Sequence, residues 1–151
     1  MSDTPSIPNA LTERDALTAF AVMFNTGDLK ALAPLMAPDF TYTSQNALTD
    51  MVGKDTYLAF MAEKFDTLRE ADLMPVVDLV RLPGYGHSLC AVVWQGQPLA
   101  PQCVVYADVA EGRLKAIHLC IAPSPASAEA FGLWPGLPAD RRPGPAAGAP
   151  A

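Results

Sequence analysis

The sequence predicts one α+β domain: a cone-shaped, strongly curved antiparallel sheet of four long strands plus a short one, with three helices packed in its concave side. Three observations predict it. Apolar residues recur at helical spacing until about residue 69, and the pattern turns to extended runs after Ala71. Four such runs, 73–82, 87–95, 102–110 and 113–121, are separated only by Pro83-Gly84-Tyr85-Gly86, by 96–101 and by Glu111-Gly112. Connections this short force successive strands antiparallel, because a parallel pair needs a long crossover. Finally, a sheet that follows its helices must bury a face against them, and long strands coil into a hollow that helices can close.

The elements follow in order. Residues 1–10 are expected to be a flexible leader. A helix is expected over 11–25, where Thr12 and Asp15 make a capping box and Leu17, Phe20, Ala21 and Phe24 form one stripe. Asn25-Thr26-Gly27 ends it, with Gly27 supplying a left-handed cap. Asp28 caps a shorter helix over 29–36, interrupted by Pro34, and Pro38 marks its exit. A short strand over 40–44 and a polar loop over 45–53 lead to the third helix, 54–69. Its stripe is Leu58, Met61, Phe65 and Leu68, flanked by Tyr57 and Phe60, with Lys64 and Arg69 on other faces. The domain is expected to span 11–122. From 123 to 151 the chain is rich in Pro and Ala, and this tail is expected to dock through Phe131, Leu133 and Trp134 and then to be disordered beyond Arg142.

Composition narrows the classes. Half of the 151 residues are hydrophobic and 17% are charged, below the usual quarter. That balance fits a compact domain with apolar surface to bury against a second subunit. The net charge of −6 argues against a nucleic-acid partner, since such binding draws on clustered Lys and Arg, and Arg141-Arg142 is the one adjacent basic pair. Cys90, Cys103 and Cys120 are odd in number, form no CxxC, and sit in apolar runs. They read as small hydrophobes in a reducing cytoplasm rather than a disulfide framework. No signal-peptide pattern and no run of about 18 apolar residues is present, so no membrane association is expected.

The segments FNTGDLKALAPLMAPDFTYTS, GKDTYLAFMAEKF and GRLKAIHLC carry a resemblance. An Asn-x-Gly-Asp break separates the first two helices, Gly-Lys opens the third, and Gly-Arg opens the last strand. Over residues 11–121 the chain resembles the nuclear transport factor 2-like superfamily, which includes SnoaL-like polyketide cyclases, ketosteroid isomerases and limonene epoxide hydrolases. The resemblance implies a cone, a pocket at its wide end and a homodimer formed through the sheet. It implies no single activity, because this fold hosts enzymes, binders and accessory domains.

His118 is the first candidate for chemistry. It shares a strand face with Leu114, Ala116 and Cys120, and in proteins of this resemblance a position near it faces the cavity. An imidazole titrating near pH 6.5 suits acid–base work or hydrogen bonding to a ligand carbonyl. Asp78 is the second candidate, a carboxylate on a face shared with Met74, Val76, Val80 and Leu82, where burial would make it a base beside a carbonyl. Against both stands the ordinary reading of a satisfied core His and a paired Asp. Tyr42, Tyr57, Trp94 and Tyr106 are expected to line the pocket, each with an apolar body and a polar handle. Phe20, Phe24, Met61, Phe65 and Cys120 are expected to form its wall. Cys90, His118 and Cys120 match no metal-ligand spacing, and no phosphate loop or nucleophile elbow is present, so neither metal nor cofactor is expected.

In the last strand, sites where relatives carry an acid or Arg hold Ala116 and Leu119. Their absence leaves an apolar cavity with few polar groups. The leading expectation is therefore a protein that holds a small apolar or carbonyl-containing molecule. A cyclase or isomerase using His118 or Asp78, and a dimerisation module joined through a sheet face bearing Cys103, Val105 and Val109, are the alternatives.

Overall fold

The computed structural model describes residues 11–45, 50–82, 89–121 and 128–143. The expected leader, the Pro83–Gly86 connection and the chain end beyond Pro143 lie outside the described residues.

Helix α1, Glu13–Thr26, begins at the expected capping box: Asp15 N–H donates to Thr12 Oγ1 at 3.0 Å and Thr12 N–H to Asp15 Oδ2 at 3.1 Å. Gly27 closes it at φ 71°. The left-handed conformation favours glycine, and a Cβ there would also displace the Arg69 guanidinium, which donates to the Gly27 carbonyl. Asp28 caps the next segment, but Pro34 prevents a regular helix. Two 3₁₀ turns, Leu29–Ala31 and Ala33–Leu35, stand in its place.

Strand β1 starts earlier than expected and runs Met36–Ser44 through Pro38. Its register against its neighbour shifts between Met36 and Thr41, so the proline, which lacks an N–H, falls in a stretch with no regular ladder. Two-residue β2, Met51–Val52, pairs with β1. Helix α2, Lys54–Glu70, follows, then β3, Val76–Arg81; β4, Leu89–Gln95; β5, Ala100–Ala110; and β6, Arg113–Cys120. A final two-residue β7, Glu129–Ala130, adds to β3.

The sheet order is β2-β1-β6-β5-β4-β3-β7. The four long strands form the expected antiparallel meander. The early strand β1, however, pairs with β6 in parallel, with Thr43 opposite His118, so the sheet is mixed. The chain between β1 and β6 supplies the long crossover that a parallel pair requires.

Two apolar layers flank the sheet. On the inner side, Phe20, Met23 and Phe24 of α1 and Tyr57, Met61 and Phe65 of α2 pack on Val77, Leu79, Ala91, Val93, Val105 and Ile117. On the outer side, Val80, Cys90, Val92, Trp94 and Val104 are covered by Ala128, Trp134 and Leu137 from the C-terminal strap, residues 128–143. Five consecutive residues of β4, Cys90 to Trp94, are therefore buried. Among the described residues no helix is long and apolar enough to cross a membrane.

Candidate functional site

The sheet divides the sequence-predicted residues between its two sides. Phe20, Phe24, Tyr42, Tyr57 and Met61 line a cavity of about 260 Å³ between the two helices and the inner face. Phe65 stands behind this wall, edge-on to Phe24 with ring centroids 5.2 Å apart. Tyr42 and Tyr57 face each other at 5.2 Å, and Phe40 packs on Tyr57 at 4.9 Å. Burial pushes both phenols above their ordinary value, Tyr57 the further, so both are neutral donors at neutral pH.

Cys103 also lines this cavity, with Val93, Leu119, Gln95, Gln102 and Lys64. Burial pushes its thiol up to about 11, so it is a neutral, weakly nucleophilic group. This corrects the expected placing of Cys103 and Val105 on an exposed dimer face, since both belong to the helix-side core. Sequence reasoning also missed Lys64 as a lining residue. The signal was present: it stands three residues after Met61 and seven after Tyr57, on the same side of α2.

His118, Asp78, Trp94, Tyr106 and Cys120 are not in this cavity. Their neighbours Ile117, Leu119, Val77, Leu79, Val93 and Val105 point inward, and strand alternation turns these five outward. The expected inward face for His118 is thus corrected. On β6 a register irregularity opposite Asp108 and Val109 lets Leu114 and Ile117 both enter the core, which breaks simple parity.

On the outer side His118 sits in an open groove of about 380 Å³, beside Thr43, Ser44, Tyr106, Asp108 and Cys120. Its Nε2 lies 2.6 Å from Asp108 Oδ2 and its Nδ1 lies 2.8 Å from Thr43 Oγ1. A carboxylate only accepts, so neutral His118 carries its proton on Nε2 and receives the Thr43 hydroxyl proton at Nδ1. The Cys120 thiol donates to the Tyr106 hydroxyl at 3.4 Å. That contact and partial burial raise the Tyr106 phenol to about 12.

Asp78 serves the strap. It is fully buried, and its carboxylate accepts from four backbone N–H groups: Leu79 at 2.9 Å, Gly132 at 2.6 Å, Leu133 at 3.1 Å and Trp134 at 2.9 Å. With both oxygens so occupied, the carboxylate is not presented to a ligand. Trp94 packs against Trp134 at 5.0 Å, and its indole N–H is buried with no partner among the described residues. Of the tail cluster expected to dock, Trp134 is buried, whereas Phe131 and Leu133 remain 38% and 44% exposed. Asn25, read in the sequence as part of a helix stop, also ties three elements together. Its amide donates to Val77 O at 2.8 Å and Pro135 O at 2.7 Å and accepts from Val77 N–H at 2.7 Å.

Among the described residues, no three His, Cys, Asp or Glu side chains converge as a metal-binding group.

A curved sheet with helices in its hollow, and a cavity between them, defines a nuclear transport factor 2-like fold. Solved structures agree. A Catenulispora acidiphila hypothetical protein with a ketosteroid isomerase-like fold, crystallised with trimethylamine, is similar at 20% identity over 87% of this chain and 100% of its own, TM-score 0.53. A candidate polyketide cyclase from Pseudomonas putida is similar at 15% identity over 75% of this chain and 93% of its own, TM-score 0.54. A Cytophaga hutchinsonii NTF2-like protein of unknown function is similar at 15% identity over 76% and 94%, TM-score 0.50. At these identities the likeness is one of fold. No family model and no curated protein matches the chain.

Proposed function

We propose that this protein binds a small, largely apolar molecule in the cavity between α1, α2 and the inner sheet face. One observation carries the reading: mostly aromatic and aliphatic side chains line about 260 Å³ there, together with the polar groups of Gln95, Gln102, Lys64 and two tyrosines. Small-molecule sites have this make-up, an apolar lining with few polar groups that fix orientation. The volume suits a ligand on the order of ten heavy atoms, given about 30 Å³ for each water in the liquid. The trimethylamine held by the Catenulispora protein supports the use of this fold for small molecules. The test is calorimetric titration with 3-phenylpropan-1-ol, together with a Cys103→Phe variant that fills the cavity. Binding by the parent chain and none by the folded variant is expected. No heat with the parent chain, or equal binding by the variant, would remove the reading.

A second reading, acid–base chemistry of the cyclase or isomerase kind, is favoured by the oriented Thr43–His118–Asp108 arrangement and belongs to the outer groove rather than the cavity. It uses His118 alone, because Asp78 is occupied by the strap. Proton NMR of acetophenone methyl exchange in D₂O tests it: exchange should be faster with the parent chain than with His118→Gln. Equal rates would leave this reading without its base. For the homodimer through the sheet, the apolar part of the outer face is already covered by the chain's own strap, and the remainder presents Thr43, Asp108 and His118. Cytoplasmic residence stays part of this reading on the strength of the three reduced cysteines.

A further inference from the structure

We infer that the cavity selects an anionic ligand, a small amphiphile with a carboxylate or like head group, and that Lys64 is its counter-ion. The inference rests on the binding role proposed above and names the chemical class of what is bound.

Among the described residues, Lys64 is the one charged residue in the cavity lining, and no Asp or Glu shares it. Among the described residues no carboxylate pairs with Lys64. Its ammonium instead lies 5.8 Å from the centroid of the exposed Phe60 ring. Among the described residues, Arg69, Arg81 and Lys115 are the cations that pair with a carboxylate. Lys115, by contrast, holds Asp39 at 2.9 Å.

The other polar groups of the lining do not replace its charge: the Tyr42 and Tyr57 phenols are neutral donors. The Gln95 amide nitrogen donates to Leu73 O at 2.6 Å, and that of Gln102 to Gln95 O at 3.2 Å and Ala100 O at 3.1 Å. Both amides thus direct their N–H groups at backbone carbonyls. Lys64 is left as the charged donor for a ligand head group, on a flexible stem that can follow it.

Apolar walls strengthen this preference. Beside aromatic rings water is sparse, and a charge pair at contact distance is stronger than in bulk solvent. A carboxylate paired with Lys64 would keep its hydrocarbon part against Phe20, Phe24 and Met61. A cationic head would be repelled at the same place, and a neutral hydroxyl would gain only an ordinary hydrogen bond.

Three probes of one shape decide the matter: 3-phenylpropionate, 3-phenylpropan-1-ol and 3-phenylpropan-1-amine. Each is titrated calorimetrically at pH 7 and low salt into the full chain and into Lys64→Met and Lys64→Glu, with circular dichroism to confirm folding. The parent chain is expected to bind the acid at least ten-fold more tightly than the alcohol, and the amine least. Lys64→Met should bring acid and alcohol within about two-fold, and Lys64→Glu should make the amine the preferred probe. Equal binding of acid and alcohol by the parent chain, or a preference that survives Lys64→Met, overturns the inference while leaving the binding role intact. Failure of all three probes to bind removes both.

Discussion

Replacing Asp78 by Ala tests the account of the strap most directly. Burying Trp134 and Leu137 gains on the order of 6–8 kcal/mol, from about 25 cal/mol per Å² of apolar surface and 150–250 Å² for a Trp. Ordering residues 131–137 costs about 1–2 kcal/mol each in backbone freedom, which offsets that gain. The strap is therefore held by the three N–H groups of Gly132, Leu133 and Trp134 on one buried carboxylate. Hydrogen bonds to a charged acceptor contribute roughly 1.5–3 kcal/mol each. Their full sum is not lost in the variant, because a strap without its anchor can detach and hydrate its amides. The ceiling is the net docking energy, so Asp78→Ala is expected to lose about 3 kcal/mol. Urea unfolding measures the loss, and amide hydrogen exchange at 132–134 should show protection collapsing before the sheet opens. Trp134→Ala releases the same segment, so the double variant should cost little more than the worse single one. A loss below about 1 kcal/mol with unchanged protection, or strict additivity in the double variant, would refute the reasoning.

Two further outcomes are expected. Asn25→Ala leaves the Val77 N–H and carbonyl without their side-chain partner and frees Pro135, at a cost of roughly 2–3 kcal/mol in chemical denaturation; a neutral result would show that water replaces the amide. The Cys103 thiol, raised from 9.0 to about 11, is more strongly protonated in the folded chain than in the unfolded one. The stability tied to its neutral burial is full below about pH 9 and falls as pH rises towards about 11, by roughly 2–3 kcal/mol. Unfolding free energies measured across that window should slope less in Cys103→Ala, and an unchanged slope would contradict the assignment.

The helices and the meander were legible because their signals are local: a Thr12–Asp15 capping box, a glycine stop at 27, and a tight Glu111-Gly112 turn. The sides of the sheet were not. Alternation identifies an inner face only where the other face meets water, and β4 is buried on both by helices and strap. Its unbroken Cys90–Trp94 run was the available sign of two-sided burial. The parallel pairing of β1 rests on contacts more than seventy residues apart, Thr43 with His118 among them, which no local pattern carries. Asp78 was correctly conspicuous as a carboxylate among apolar residues. Its partners are backbone amides of the strap, and amides carry no sequence signature. Lys64 is expected on another face of the helix from its apolar stripe, although its spacing from Tyr57 and Met61 puts it on the cavity side.

The strap bears on the order of events during synthesis. Residues 128–143 emerge from the ribosome after the strands whose outer side they cover, so Val92, Trp94 and Val104 stay bare until the last part of the domain is made. A nascent chain with its meander assembled and its strap still in the exit tunnel would present a greasy tract to chaperones and to its own neighbours. Asp78 would wait there with the amide of Leu79 as its one partner from the strand, its charge keeping that tract hydrated until the amides of 132–134 arrive.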